Sequence, residues 1–215
     1  MGSKVYTYEG EQLTVRYDVK RCIHAAECVS GLPHVFDPNK SPWVEPDNAN
    51  ADALATVIMQ CPTGALHLDR KDGGDFKDDS SLNIVAIQAD GPLYIRGGIE
   101  VVDQDGTVLL NDTRIALCRC GLSKNKPFCD NSHLEGFVDE GRLGKGGVKV
   151  GDKEGRLSIT LSKNGPLLLE GPITIVSTSE GEQRQGVRAA LCRCGSSQNK
   201  PFCDGSHKRM GFISD

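Results

Sequence analysis

Nine cysteines narrow the reading of this 215-residue chain more than any other feature. They fall into three groups of three: Cys22, Cys28 and Cys61; Cys118, Cys120 and Cys129; Cys192, Cys194 and Cys203. The count is odd, and the chain is long enough to bury a core of its own. Neither property suits the disulfide framework of a small secreted domain. Thiols serving only as core filling would be scattered rather than set at repeated spacings. Grouped thiolates read instead as metal ligands. The first residues hold no apolar secretory stretch and no Arg-rich amphipathic one, so a cytoplasmic location is expected. No apolar run approaches the roughly 18 residues of a spanning helix, so no membrane partner is expected. A net charge of −4 argues against a nucleic-acid partner.

The second and third groups belong to an internal repeat. Residues 91–133 align with residues 165–207 at a constant offset of 74, with 22 identities in 43 positions and no gap. One structural unit used twice is the implied arrangement, and two copies suit a twofold pair better than a solenoid. Each copy reads as short aliphatic strands followed by a ligand-rich loop. The strands are expected over 84–89, 93–95, 99–102 and 108–110, and again over 157–161, 167–169, 173–176 and 187–190. Residues 72–81 are acidic and poor in apolar side chains, so they read as a linker. Residues 141–155 are rich in Gly and Lys and read as the connector between repeats.

Both repeats end in C-x-C-x8-C-x3-H, with ligand candidates Cys118, Cys120, Cys129 and His133, then Cys192, Cys194, Cys203 and His207. Two cysteines at i and i+2 can converge on one metal from an extended turn. A Cys and a His at i and i+4 share a face of a helical turn, which Asp130 or Asp204 can cap. By spacing alone, four such ligands would also suit structural zinc. Arg119, Arg193, Lys126 and Lys200 stand beside these ligands, either steadying the charge of a bound group or as solvated cations.

The longer string C-x-C-x2-S-x3-P-F-C-D-x-S-H, present in both repeats, resembles the CDGSH iron–sulfur family. The resemblance implies a 2Fe–2S cluster in each repeat. Cys118 with Cys120 would bind the inner iron, and Cys129 with His133 the outer one. In the second repeat the corresponding sets are Cys192 with Cys194, and Cys203 with His207. The family's fold is a dimer with a β-cap over the cluster-binding region, and a tandem chain supplies both halves. Asn131 departs from the family's usual Gly, and Asn tolerates the left-handed backbone that position needs. Three thiolates and one neutral His leave an oxidised two-iron core with about one negative charge, against two for four thiolates. The potential is therefore expected between plant-type ferredoxins near about −400 mV and Rieske centres above roughly −150 mV.

Residues 1–71 have no counterpart in the repeat. Strands are expected over 4–8, 13–17 and 65–68, with an amphipathic helix over 51–60. The run Cys22-Ile23-His24-Ala25-Ala26-Glu27-Cys28, with Cys61-Pro62 later, resembles single-cluster bacterial ferredoxins, including three-iron ones. Ala25 occupies the place of their middle Cys. Three thiolates leave one cube corner without a ligand, which suits 3Fe–4S. A 4Fe–4S cube using His24, solvent or another residue is the alternative. His34 and His67 read as packing or surface residues, and Phe36 and Trp43 as domain core.

The expected fold class is α+β. A small ferredoxin-like domain over 1–71 and the linker over 72–81 precede a β-rich tandem CDGSH pseudo-dimer with a β-cap, its repeats over 82–140 and 156–215. The repeats would pair within one chain, leaving it monomeric. The expected function is one-electron transfer to an unidentified redox protein. A cluster carrier serving an apo-acceptor, a redox or pH sensor, and a zinc-stapled interaction module are the alternatives. No enzyme is expected, because no Ser–His–Asp set, phosphate-cradling loop or paired-carboxylate motif is present.

Overall fold

The computed structural model describes residues 4–71, 73 and 82–214. It divides into two units, Met1–Asp78 and Asp79–Asp215. The expected linker over 72–81 lies outside the described residues, Gly73 excepted.

The first unit is a three-stranded antiparallel sheet with two helices. Strands β1 (Val5–Glu9), β2 (Leu13–Asp18) and β3 (Leu66–Arg70) pair in that order. Helix α1 spans Glu27–Gly31 and α2 spans Ala51–Gln60. Asn50 starts α2 by accepting the Ala53 N–H at 2.9 Å. Leu54 and Ile58, four residues apart, are fully buried with Leu13, Val15, Phe36 and Leu66. Each such side chain contributes about 1.5–3 kcal/mol by leaving water. Trp43 packs its ring edge-on to Tyr17, with centroids 4.9 Å apart.

The regular structure of the second unit is mostly strand. The first repeat supplies β4 (Ile84–Ile87), β5 (Leu93–Asp103) and β6 (Val108–Leu117). The second supplies β7 (Val148–Lys149), β8 (Leu157–Leu161), β9 (Leu167–Ser177) and β10 (Gln183–Leu191). Strands expected separately over 93–95 and 99–102 are one strand, β5. A register irregularity between Arg96 and Ile99 bends it. Gly97 has φ +133° there, and an added Cβ would lie 2.8 Å from the Leu82 carbonyl oxygen. The expected connector is partly ordered as β7, which pairs with β10.

The repeats exchange strand edges. Strand β4 pairs antiparallel with β5 and parallel with β9, whereas β8 pairs antiparallel with β9 and parallel with β5. The pair Ile84–Thr174 becomes Ser158–Glu100 when the 74-residue offset is applied to each member, and both pairs occur. Ile87–Ser177 and Leu161–Asp103 are related in the same way. Strands β4, β5, β8 and β9 thus close a ring around one aliphatic core, in which Ile95 and Ile115 meet Leu169 and Leu191 among others. Strands β6 and β10 flank the ring and lead directly into the two ligand loops.

Candidate metal centres

Each ligand loop of the second unit leaves a long strand and folds back onto its end. Leu117 bridges to Phe128, and Leu191 to Phe202. Cys118 N–H donates to the Pro127 carbonyl and Cys129 N–H to that of Ala116, both at 2.9 Å. Cys192 and Cys203 repeat this with Pro201 at 2.7 Å and Ala190 at 2.9 Å. The return brings the third cysteine of each motif beside the first two. Between the ligands, Ser123 Oγ donates to the Phe128 carbonyl at 2.7 Å and accepts the Asn125 N–H at 3.0 Å. Asp130 accepts the N–H groups of Lys124 at 2.8 Å and Ser132 at 3.0 Å. Asp204 does the same for Gln198 and Ser206, and the Gln198 N–H above all holds its carboxyl well below the usual range. The motif residues that are not ligands therefore brace the loop. Asn131 has φ +71°, and its counterpart Gly205 has φ +83° with open space where a Cβ would stand. That space is why a side chain is tolerated at this position.

The braced loops present their ligands in pairs. Cys118 Sγ is 3.5 Å from Cys120 Sγ, and Cys129 Sγ is 3.4 Å from His133 Nδ1. In the second repeat the separations are 3.6 Å for Cys192 with Cys194 and 3.4 Å for Cys203 with His207. Two thiolates on one tetrahedral ion at about 2.3 Å are about 3.8 Å apart, so each pair has the spacing for one metal. Among the described residues, no three His, Cys, Asp or Glu side chains gather closely enough for a single ion. The Leu122 N–H donates to Cys120 Sγ at 3.4 Å, and the Asn131 N–H to Cys129 Sγ at 3.5 Å. Such donors stabilise thiolate charge and raise a cluster's potential.

Burial and mutual contact shift the proton affinities of these side chains. The Cys120 thiol donates to Cys118, which lowers Cys118 to about 6 and pushes Cys120 up. Burial pushes Cys129 and Cys194 up to about 11, a cost that metal binding would remove by supplying positive charge. Burial, and then the Arg119 charge, lower His133. Its ring is thus kept neutral, the form that binds metal.

Arg119 and Arg193 prove to be buried anchors. Arg119 donates to the carbonyls of Gly91 at 2.7 Å and Gln88 at 2.5 Å, and pairs with Asp139 at 2.5 Å. Arg193 reaches the equivalent carbonyls of Gly165 at 3.1 Å and Ser162 at 2.5 Å. Each guanidinium pins the residue between two ligands to the turn before β5 or β9. Lys126 and Lys200 are also tied down, donating to Ser123 and Ser197 carbonyls at 2.6 and 2.8 Å.

The two ligand loops touch one another. Gly121 has φ +82°, and a Cβ there would lie 2.7 Å from the Cys194 carbonyl oxygen. Gly195 has φ +78°, and its Cβ would press still closer on the Cys120 carbonyl oxygen. The second ligand of each repeat therefore rests on the glycine of the other. The repeated C-x-C-G string was the available sequence signal, but it gives no hint that the contact crosses between repeats.

In the first unit, Cys22 follows a 3-10 turn, Cys28 lies in α1 and Cys61 ends α2. All three line one cavity of about 440 Å³, with His24, Ala25 and Trp43 also on its wall. His24 and Ala26 have φ +56° and +65°. The His24 N–H donates to Cys22 Sγ at 3.4 Å, a contact that stabilises thiolate charge. Arg21, buried, donates to the Thr63 carbonyl at 2.5 Å and ties the Cys22 segment to the Cys61 segment. Burial and a hydrogen bond to Cys22 push the Tyr17 hydroxyl up. Sequence patterning places Tyr17 in a strand and does not reveal this contact. Trp43 serves both the core and the cavity wall. His34 is exposed, and His67 is half-buried on β3, away from the cavity lining.

Comparison with known proteins locates the same two regions. Residues 8–71 match a family described as divergent 4Fe-4S mono-cluster. Residues 90–134 and 164–208 each match the iron-binding zinc finger CDGSH type. Uncharacterized protein YjdI of Escherichia coli K12 is 34% identical over 64 residues, which is 30% of this chain and 84% of that protein. YjdI of Escherichia coli O157:H7 matches to the same extent. No solved structure matches.

Proposed function

The chain belongs to the divergent 4Fe-4S mono-cluster family through residues 8–71 and to the iron-binding CDGSH family through its two repeats, and we propose that it transfers single electrons through three iron–sulfur clusters. Each repeat would hold a 2Fe–2S cluster through Cys118, Cys120, Cys129 and His133, or through Cys192, Cys194, Cys203 and His207. The observation that carries this reading is the arrangement of each ligand set as two pairs, the members of each about 3.5 Å apart. Bound there, a cluster supplies a one-electron couple. The chain's own contribution is the bracing of the loops, the N–H donors to sulfur and the neutral His133. The reciprocal register of β4 with β9 and β8 with β5 supports reading the repeats as a pseudo-dimer within one chain.

The first unit would hold its cluster through Cys22, Cys28 and Cys61. Three thiols around one cavity favour 3Fe–4S. The description of the matching family favours a four-iron cube completed by another ligand. Iron and sulfide analysis of anaerobic protein, with visible and EPR spectra, tests both. About 7 iron and 8 sulfide per chain are expected for three-iron, and about 8 of each for four-iron. A content near 4 iron and 4 sulfide would remove the first cluster, and zinc without sulfide would remove the whole reading.

A further inference from the structure

The repeats agree where ligands are held and differ where solvent is met. Their inner ligands, Cys118, Cys120, Cys192 and Cys194, are buried, whereas His133 and His207 lie half-exposed at the rim. Around the first rim stand Leu122, Lys124, Leu134 and Glu135, all exposed, with Leu134 77% accessible. Their counterparts around the second are Ser196, Gln198, Lys208 and Arg209. Over these four positions the first rim sums to zero charge and the second to +2. The shared aspartates Asp130 and Asp204 do not alter the difference.

Lys208 and Arg209 end the short helix α3 (Ser206–Arg209), where cations suit the helix dipole. That accounts for their stability there but not for their place beside a ligand. Arg209 is held over the loop by a 2.7 Å bond to Ser206 Oγ. The chain as a whole carries −4, so its overall field repels an acidic protein. A rim two charges more positive than its counterpart, beside a half-exposed histidine, therefore selects where such a protein can approach.

Building on the electron-transfer reading, we propose that the rim formed by His207, Lys208 and Arg209 is the docking face for an acidic one-electron carrier protein, and that the His133 rim is not. One electron leaves the carrier's reduced centre and reduces the centre behind His207. No bond or proton moves. Rim charges of this kind act on the encounter rate and its salt dependence more than on the lifetime of the complex.

The probe is reduced plant-type ferredoxin, an acidic two-iron protein, mixed with the oxidised full chain in a stopped-flow instrument. The double substitution Lys208→Glu with Arg209→Glu should lower the second-order rate tenfold or more at low salt and flatten its salt dependence. Lys124→Glu with Leu134→Glu at the other rim should change it less than twofold. Iron content, and reduction by a small uncharged photoreductant, should be unaltered in both variants. Equal losses at the two rims, or none at either, with iron intact, would overturn the docking face alone. A chain that neither donor reduces would remove the electron-transfer reading and the docking face with it.

Discussion

The contact between ligand loops makes an unusual demand on one methyl group. Gly121→Ala introduces a Cβ in the first repeat, yet the atoms it meets belong to Cys194 in the second. The oxygen would lie 2.7 Å away and the carbonyl carbon 2.9 Å away. Left-handed backbone costs a non-glycine residue about 1–2 kcal/mol. Overlap with backbone that cannot rotate away adds about 1–3 kcal/mol, for a total near 2–5 kcal/mol. Gly106→Ala is the matched control, because Gly106 has φ +87° and nothing within 4 Å of its Cβ position. It should show only the backbone cost.

The assay must read the second site by itself. In a chain whose first site is disabled by Cys129→Ser with His133→Ser, the remaining CDGSH absorbance belongs to the second cluster. Adding Gly121→Ala should hasten its decay well beyond the effect of Gly106→Ala. Hydrogen exchange over residues 192–197 of the otherwise unaltered chain should rise in parallel. If Gly121→Ala and Gly106→Ala behave alike in both measurements, the loops do not bear on one another and the contact has no energetic weight.

Three further outcomes are expected. Replacing either outer histidine, by His133→Cys or His207→Cys, should keep its cluster, lower its potential by adding a negative ligand, and slow its loss in acid. The sign for His133 follows from its lowered proton affinity: retention holds while the ring is neutral and fails as pH drops below the ordinary histidine range. Potentiometry and absorbance decay at mildly acidic pH check this, and an unchanged potential in both variants would remove both histidines as ligands. Ala25→Cys should add one iron per chain and abolish a three-iron EPR signal while the other two clusters stay unchanged, whereas Cys61→Ser should damage the first cluster alone; iron already complete before the Ala25 substitution would mean a four-iron site. Arg119→Met should destabilise the second unit by about 3–5 kcal/mol, because Asp139 and two carbonyls lose a buried partner; denaturant unfolding measures it, and a loss below 1 kcal/mol would mean the guanidinium anchors little.

The candidate ligand positions are legible because metal chemistry constrains residue type and spacing together. C-x-C-x8-C-x3-H cannot be varied freely, and its second copy at a 74-residue offset makes coincidence untenable. Helix α2 is legible for a related reason, since its 3.6-residue apolar pattern is written in adjacent residues. Strand β5 was not read as one strand, because Gly97 and Gly98 look like a break. In the folded chain they permit the bend by which β5 serves β4 with one half and β8 with the other. The anchoring of Arg119 is not legible, because nothing near it in the chain shows that the turn before β5 supplies carbonyls to receive it. The contact of Gly121 with Cys194 lies furthest from sequence reasoning. It depends on the exchange of strand edges between repeats, a non-local pairing that no window of the chain contains. The same exchange sets the repeats' outer ligands on separate rims while their inner loops share a wall.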